Sequence, residues 1–153
     1  MLTTLTVRKA ALGDLDHLGR LFDDYRQFYE QLSDLETAKN FVYQRLQHKE
    51  SIILVASNDA GNLVGFCQLY PTFCSVAAAS IYVLYDLYVA PTARQLGIGK
   101  ALLQAAHKHA IDSGVARMDL STARTNVSAQ ALYESLGWKR DEVFYTYSLA
   151  ISA

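Results

Sequence analysis

The sequence predicts a single α/β domain (α+β in some schemes), residues 1–153, built on a mixed, mostly antiparallel sheet. Three observations predict it. A strand by its β-branched content, residues 51–57, and a returning strand, residues 63–73, flank Asn58-Asp59-Ala60-Gly61-Asn62, a hairpin turn, and strands joined that way pair antiparallel. Helical patterns then alternate with strands in the later part of the chain, as crossover helices do. The length of 153 residues, 51% of them apolar, suits one domain with an ordinary core. The order reads β-α-α-β-β-β-α-β-α-β.

Each element has a local reason. Leu5 and Val7 alternate with Thr4, Thr6 and Arg8, giving a first strand with one buried face. Gly13-Asp14 opens a helix whose Leu15, Leu18, Phe22, Tyr25 and Tyr29 recur three and four apart as one apolar stripe. Ser33-Asp34-Leu35-Glu36 has the form of a capping box and starts a second helix, with Leu35, Val42 and Leu46 inward. Gly65 marks a bulge or a close approach in its strand. A strand over residues 81–90 stops at Pro91, which has no N–H to give a ladder. The next helix buries Ile98, Leu102, Ala105 and Ala106 and ends at Gly114. Residues 115–121 read as a strand. Residues 126–136 read as a helix with Ala129, Leu132, Tyr133 and Leu136 inward, closed by Gly137. Residues 144–151 alternate as a last strand.

Composition excludes several functions. The net charge is −1 and no basic run occurs, which argues against nucleic-acid or membrane-surface partners. Cys67 and Cys74 are too few and too far apart for a zinc site, and no His pair completes one, so no metal is expected. Cys67 reads as a small buried hydrophobe. The N-terminal stretch lacks an apolar segment after a basic one, and no run approaches membrane-spanning length. The expectation is a cytoplasmic, reduced protein.

Residues 85–103, YDLYVAPTARQLGIGKALL, organise the rest. They read as a strand, a loop with Gly97 and Gly99, and the start of a helix. Two glycines there let backbone N–H groups close on a phosphate at the positive end of the helix. The dinucleotide fingerprint fails, because the position three after Gly99 is Leu102. The Walker pattern fails too, since Lys100 is followed by Ala101 rather than a hydroxyl residue. A pyrophosphate cradle of another kind remains, beside the plainer reading of a tight turn into a helix. Tyr133, in NVSAQALYESLGW, reads by default as a core tyrosine.

With both motifs in view, the chain resembles the GNAT superfamily of acetyl-CoA-dependent N-acetyltransferases. The resemblance runs from residue 51 to the end. It rests on LYVAPTARQLGIGKALL and NVSAQALYESLGW, which stand in the family's order and separation. It implies a central sheet of six to seven strands flanked by about four helices. It implies that the strand matching Leu87, Tyr88 and Val89 pairs with the pantetheine arm of coenzyme A. It implies that Arg94 heads a loop, Gln95, Leu96, Gly97, Ile98, Gly99 and Lys100, whose N–H groups hold the pyrophosphate. Many members carry glycine directly after the arginine, where this chain has Gln95. Asn126 matches a residue that contacts the cofactor arm, and Tyr133 matches the tyrosine near the coenzyme A sulfur.

The chemistry so implied is direct attack of a primary amine on the acetyl thioester. The Val89 N–H would face the developing oxyanion. Tyr133 would act as general acid to the thiolate. Asp86 interrupts an apolar strand, and a carboxylate there costs free energy unless paired or hydrated. It reads as ammonium binder or base, or else as an aspartate bonded to backbone at a bulge. Tyr85 precedes it where polyamine-acetylating members carry glutamate. Arg26 suits a substrate carboxylate. Tyr29 and Glu30 suit an ammonium, unless these are simply the polar face of a helix. The expected acceptor is a small polyamine, diamine or amino acid, and the expected assembly a homodimer. The alternatives are a peptide acceptor, or a non-catalytic acyl-CoA-binding module, since fold does not fix function.

Overall fold

The structure, a computed structural model, describes residues 4–152. The order is β1 (Thr6–Lys9), α1 (Leu15–Phe28), α2 (Leu35–His48), β2 (Ile52–Ser57), β3 (Leu63–Cys74), β4 (Ala79–Val89), α3 (Ile98–Ser113), β5 (Met118–Asp119) and α4 (Val127–Ser135). Short 3-10 turns cover Leu12–Asp14 and Pro91–Ala93. The strands lie in the order β1-β2-β3-β4-β5. The first four pair antiparallel and β5 joins β4 in parallel, so the sheet is mixed and mostly antiparallel as expected. The chain divides between Ser121 and Thr122 into two compact units.

The strand count differs from the expectation. Among the described residues the sheet has five strands, not six or seven. The strand read over 115–121 shortens to Met118–Asp119, and residues 144–151 form none. Alternation gives a segment its β propensity, but only a partner ladder makes it a strand. The side chains of residues 143–151 show the result: Phe144, Tyr145, Tyr147, Leu149 and Ile151 are all exposed.

In the first unit the sheet has helices on both faces. Leu18, Leu21 and Phe22 of α1, with Ala38 and Val42 of α2, pack on Ile53, Val55, Phe66 and Tyr88. Side chains alternate along a strand, so Gly65 and Cys67 face the other way, onto α3. There a Cβ on Gly65 would lie 3.1 Å from Ile98 Cγ2, 3.1 Å from the Tyr88 carbonyl oxygen and 3.2 Å from Leu102 Cδ1. Gly65 is therefore a point of close approach, and the bulge lies beside it, where Ala56 pairs Gly65 and Ser57 pairs Leu63. Helix α3 buries Ile98, Leu102, Leu103, Ala106 and Ala110, with Ala105 only half-buried. Each large side chain so buried contributes about 1.5–3 kcal/mol.

Two local expectations change. The cap of α2 is Asp34, whose side chain accepts from the Thr37 N–H at 3.1 Å. Ser33 is drawn away because its hydroxyl donates to the buried Asp23 carboxylate at 2.7 Å. The inward residues of α2 are Ala38 and Val42, while Leu35 is exposed and Leu46 half-buried. Among the described residues no helix is long and apolar enough to cross a membrane.

Candidate active site

Asp86 is placed by a bulge. Gln68 pairs with Asp86 and Leu69 with Leu84, so Tyr85 has no opposite residue in β3. A bulge of this kind bends the strand and re-aims its side chains. Tyr85 turns out to solvent, and Asp86 is only 5% exposed. Its carboxylate is held by specific donors. The Gln68 Nε2 amide donates to Oδ2 at 2.8 Å, and the Ser51 hydroxyl donates to Gln68 Oε1 at 2.7 Å, fixing which way the amide faces. The Tyr25 hydroxyl also donates to Asp86.

These contacts decide the protonation chemistry. Burial pushes the Asp86 carboxyl above the usual carboxylate range, and the two donors pull it back only in part. Burial and the neighbouring carboxylate raise Tyr25 well above the ordinary tyrosine range, so it stays a donor. Tyr70, nearby, is pushed up to about 12 by the same two causes. The Cys67 thiol is pushed up to about 12 by burial, which leaves it a packed thiol without nucleophilic character.

A cavity of about 410 Å³ opens over this carboxylate. Helix α1 and the turn after it supply Tyr25, Arg26 and Tyr29, and β4 supplies Leu84, Tyr85 and Asp86. The volume lies within the range of small-molecule sites. Four residues read from the sequence as acceptor-binding, Arg26, Tyr29, Tyr85 and Asp86, thus meet in one cavity. Glu30 does not line it. It lies beyond the end of α1, exposed, with φ 66°. The Arg26 Nη1 atom is buried and makes no hydrogen bond among the described residues.

Beyond the cavity the sheet is open. Strand β5 pairs β4 only at Tyr82 and Val83. On that side the backbone of Leu87, Tyr88 and Val89 meets no strand among the described residues, so an extended ligand can add there. Arg94 folds back to this stretch. Its Nε donates to the Val89 carbonyl at 3.0 Å, and its guanidinium lies 5.6 Å from the ring centres of both Phe28 and Tyr88. Arg94 therefore braces the loop against β4, a contact that its basic character alone did not foretell.

The loop itself enters α3. Gln95 has φ 65° and Gly97 has φ 79°, both left-handed. The glutamine adopts the turn that glycine would take without cost, at the expense of some strain. Gly97 caps α3, and the first bond inside the helix runs from the Ala101 N–H to the Gly97 carbonyl. The N–H groups of Ile98, Gly99 and Lys100 precede that bond and have no partner within the helix. No atom lies within 4 Å of a Cβ built on Gly97, so the space over the loop is clear. Ile98 alone in the loop is a buried anchor besides Ala93. Open N–H groups at the positive end of a helix of this length, with Lys100 beside them, fit a pyrophosphate.

The second unit holds the other motif. Asn126 caps α4, its Oδ1 accepting from the Ala129 N–H at 3.3 Å. Tyr133, half-buried in the last turn of α4, packs its ring 6.2 Å from that of Trp138. The Trp138 N–H donates to the Tyr133 carbonyl at 3.1 Å, which closes the helix with Gly137 at φ 94°.

Sequence reasoning missed Tyr25, Gln68 and Ser51. Tyr25 sits on the apolar stripe and looked like packing. Gln68 carried a signal, since it is the one amide in an otherwise apolar stretch of β3, as Asp86 is the one charge in β4. His109 is half-buried and stacks on Tyr82 with ring centres 5.8 Å apart.

Residues 18–138 match the profile of the Acetyltransferase (GNAT) family. The chain is 42% identical to an uncharacterized N-acetyltransferase of Bacillus subtilis, YhfO, over 97% of its own length and 99% of that protein's. It superposes with a TM-score of 0.90 on the crystal structure of a probable acetyltransferase, at 42% identity, covering 97% of this chain and 99% of that one. It is also 24% identical to a D-amino-acid N-acetyltransferase of Saccharomyces cerevisiae, over 92% of this chain and 89% of that protein.

Proposed function

The chain belongs to the GNAT family of acetyltransferases, and from that premise we propose that it acetylates a primary amine of a small molecule held over Asp86. The acetyl donor used by the family is acetyl-CoA, which supplies the activated thioester. The observation that carries the reading is the buried, donor-held Asp86 at the floor of a cavity large enough for a small acceptor.

The chain's own residues meet the physical needs of the reaction. An amine of pKa about 10.4 arrives as an ammonium and must lose a proton before it can attack. A carboxylate raised by burial both binds that cation and accepts its proton more readily than an exposed one. Gln68 and Tyr25 keep the oxygens of Asp86 aimed while this happens. The open stretch Leu87–Val89 gives the cofactor arm a strand to pair with, and the Val89 N–H is assigned to the oxyanion. The N–H groups from Gln95 to Lys100 receive the pyrophosphate. The resemblance of NVSAQALYESLGW to the family's motif supports Asn126 as a contact to the cofactor arm and Tyr133 as the proton donor to the departing thiolate.

A small acceptor is favoured over a peptide because the cavity is bounded by aromatic side chains on both walls. The relative named for D-amino acids supports the same reading. A homodimer belongs to the proposal, since two copies would have the exposed apolar side chains of residues 143–151 to cover.

The test is thiol release from acetyl-CoA against a panel of amines, amino acids and peptides. Turnover is expected with small amines, and Tyr133→Phe is expected to cut it by about 10²-fold or more without weakening acetyl-CoA binding. Turnover with peptides alone would overturn the small-molecule reading, and an unchanged rate in the variant would remove Tyr133 as the acid.

A further inference from the structure

The cavity is lined by two residues of opposite charge, Arg26 from α1 and Asp86 from β4. Asp86 is spoken for as the amine's partner. Arg26 has no such assignment. Its Nη1 is shut off from water and bonds to no group among the described residues. A buried guanidinium N–H without an acceptor is costly, so an acceptor supplied by a ligand is the simplest way to satisfy it.

The acids on the same corner of the fold are already engaged. Asp23 accepts from the Ser33 hydroxyl at 2.7 Å, the Asp34 N–H at 2.8 Å and the Gln27 amide at 3.2 Å. Asp34 lies within reach of the Arg26 charge, but its oxygens accept from the Thr37 N–H at 3.1 Å and the Thr37 hydroxyl at 2.7 Å. Neither forms an ion pair with Arg26. Arg26 lines the cavity with that Nη1 unsatisfied, and a planar guanidinium fork matches a carboxylate in two parallel bonds.

We propose that the acceptor is an amino carboxylate, a free amino acid, whose carboxylate is bound by Arg26 while Asp86 takes its amine. This rests on the proposed function and narrows it. A diamine or polyamine would set a second ammonium beside the Arg26 cation, and like charges at that range repel. The two charges thus select for a zwitterion and against a dication.

Pairs of substrates that differ only in the carboxylate test this directly: lysine against cadaverine, ornithine against putrescine, phenylalanine against phenethylamine. In the thiol-release assay the wild-type kcat/KM is expected to favour the amino acid of each pair by roughly 10²-fold or more. Arg26→Gln is expected to erase that preference by raising KM for the amino acids, while KM for the diamines, relieved of the like charge, falls rather than rises, and Arg26→Lys to restore part of the preference. Melting curves of both variants establish that they fold. Equal use of both members of each pair by the wild type would overturn the carboxylate assignment and leave the small-amine reading standing. A loss in Arg26→Gln that is equal for amino acids and bare amines would overturn it also. No turnover with any member of the pairs would overturn both readings together.

Discussion

Asp86 puts a charge where the fold would be more stable with none. Its carboxyl is raised by burial, so the folded chain holds the protonated form more tightly than the unfolded chain does. The stability linked to this group is complete below the unfolded carboxyl pKa of about 3.9 and is lost as pH rises through the higher folded value. Asp86→Asn removes the charge and keeps an oxygen for the Gln68 amide. It is therefore expected to melt higher than wild type near neutral pH, with the gap closing on acidification towards about pH 3–4, while acetyl transfer falls sharply. Melting curves across pH, beside the thiol-release rate, check both halves; a variant that melts lower near neutrality, or keeps its rate, would count against the assignment. Asp86 was legible in the sequence because a lone carboxylate in an apolar strand has to be explained. Tyr25 was not, because nothing in a helical stripe says that one of its rings carries a hydroxyl bound to a distant strand.

At the scale of elements, the entry to α3 shows why glycine spacing was readable and strand length was not. Gly97 and its left-handed φ are set by the local chain, so the pattern in residues 94–100 reported them without help from elsewhere. Strand β5 is set by how far β4 accompanies it, which no local pattern encodes, and seven expected residues became Met118–Asp119. The clear space at Gly97 makes a sharp prediction. In Gly97→Asp the new Cβ meets no atom within 4 Å, so the fold should survive with a strain cost of about 1–3 kcal/mol from the positive φ. The negative charge, however, lies where the pyrophosphate is to sit. Acetyl-CoA binding by calorimetry should be lost while the variant still melts cooperatively. Retained binding would exclude the loop as the phosphate site.

Across the whole molecule, the hairpins and the strand–loop–helix were legible because each is specified by neighbours in sequence. The mixed sheet followed from them. The last segment was not legible, because its partner is not written into its own residues. Arg94 teaches the same lesson at shorter range: its charge is plain in the sequence, but the bond to Val89 and the seat between Phe28 and Tyr88 exist only once β4 and α1 have met.

The run from Val143 to Ile151 has a consequence for handling the protein. VFYTYSLAI contains no charge, no proline and no glycine, and its β-formers are exposed. That is the signature of a segment that templates intermolecular sheets. Concentrated solutions should scatter light increasingly with time and bind amyloid dyes. Tyr147→Lys, which places a gatekeeper charge in mid-run, should suppress both, and scattering that is indifferent to this change would locate the sticky surface elsewhere.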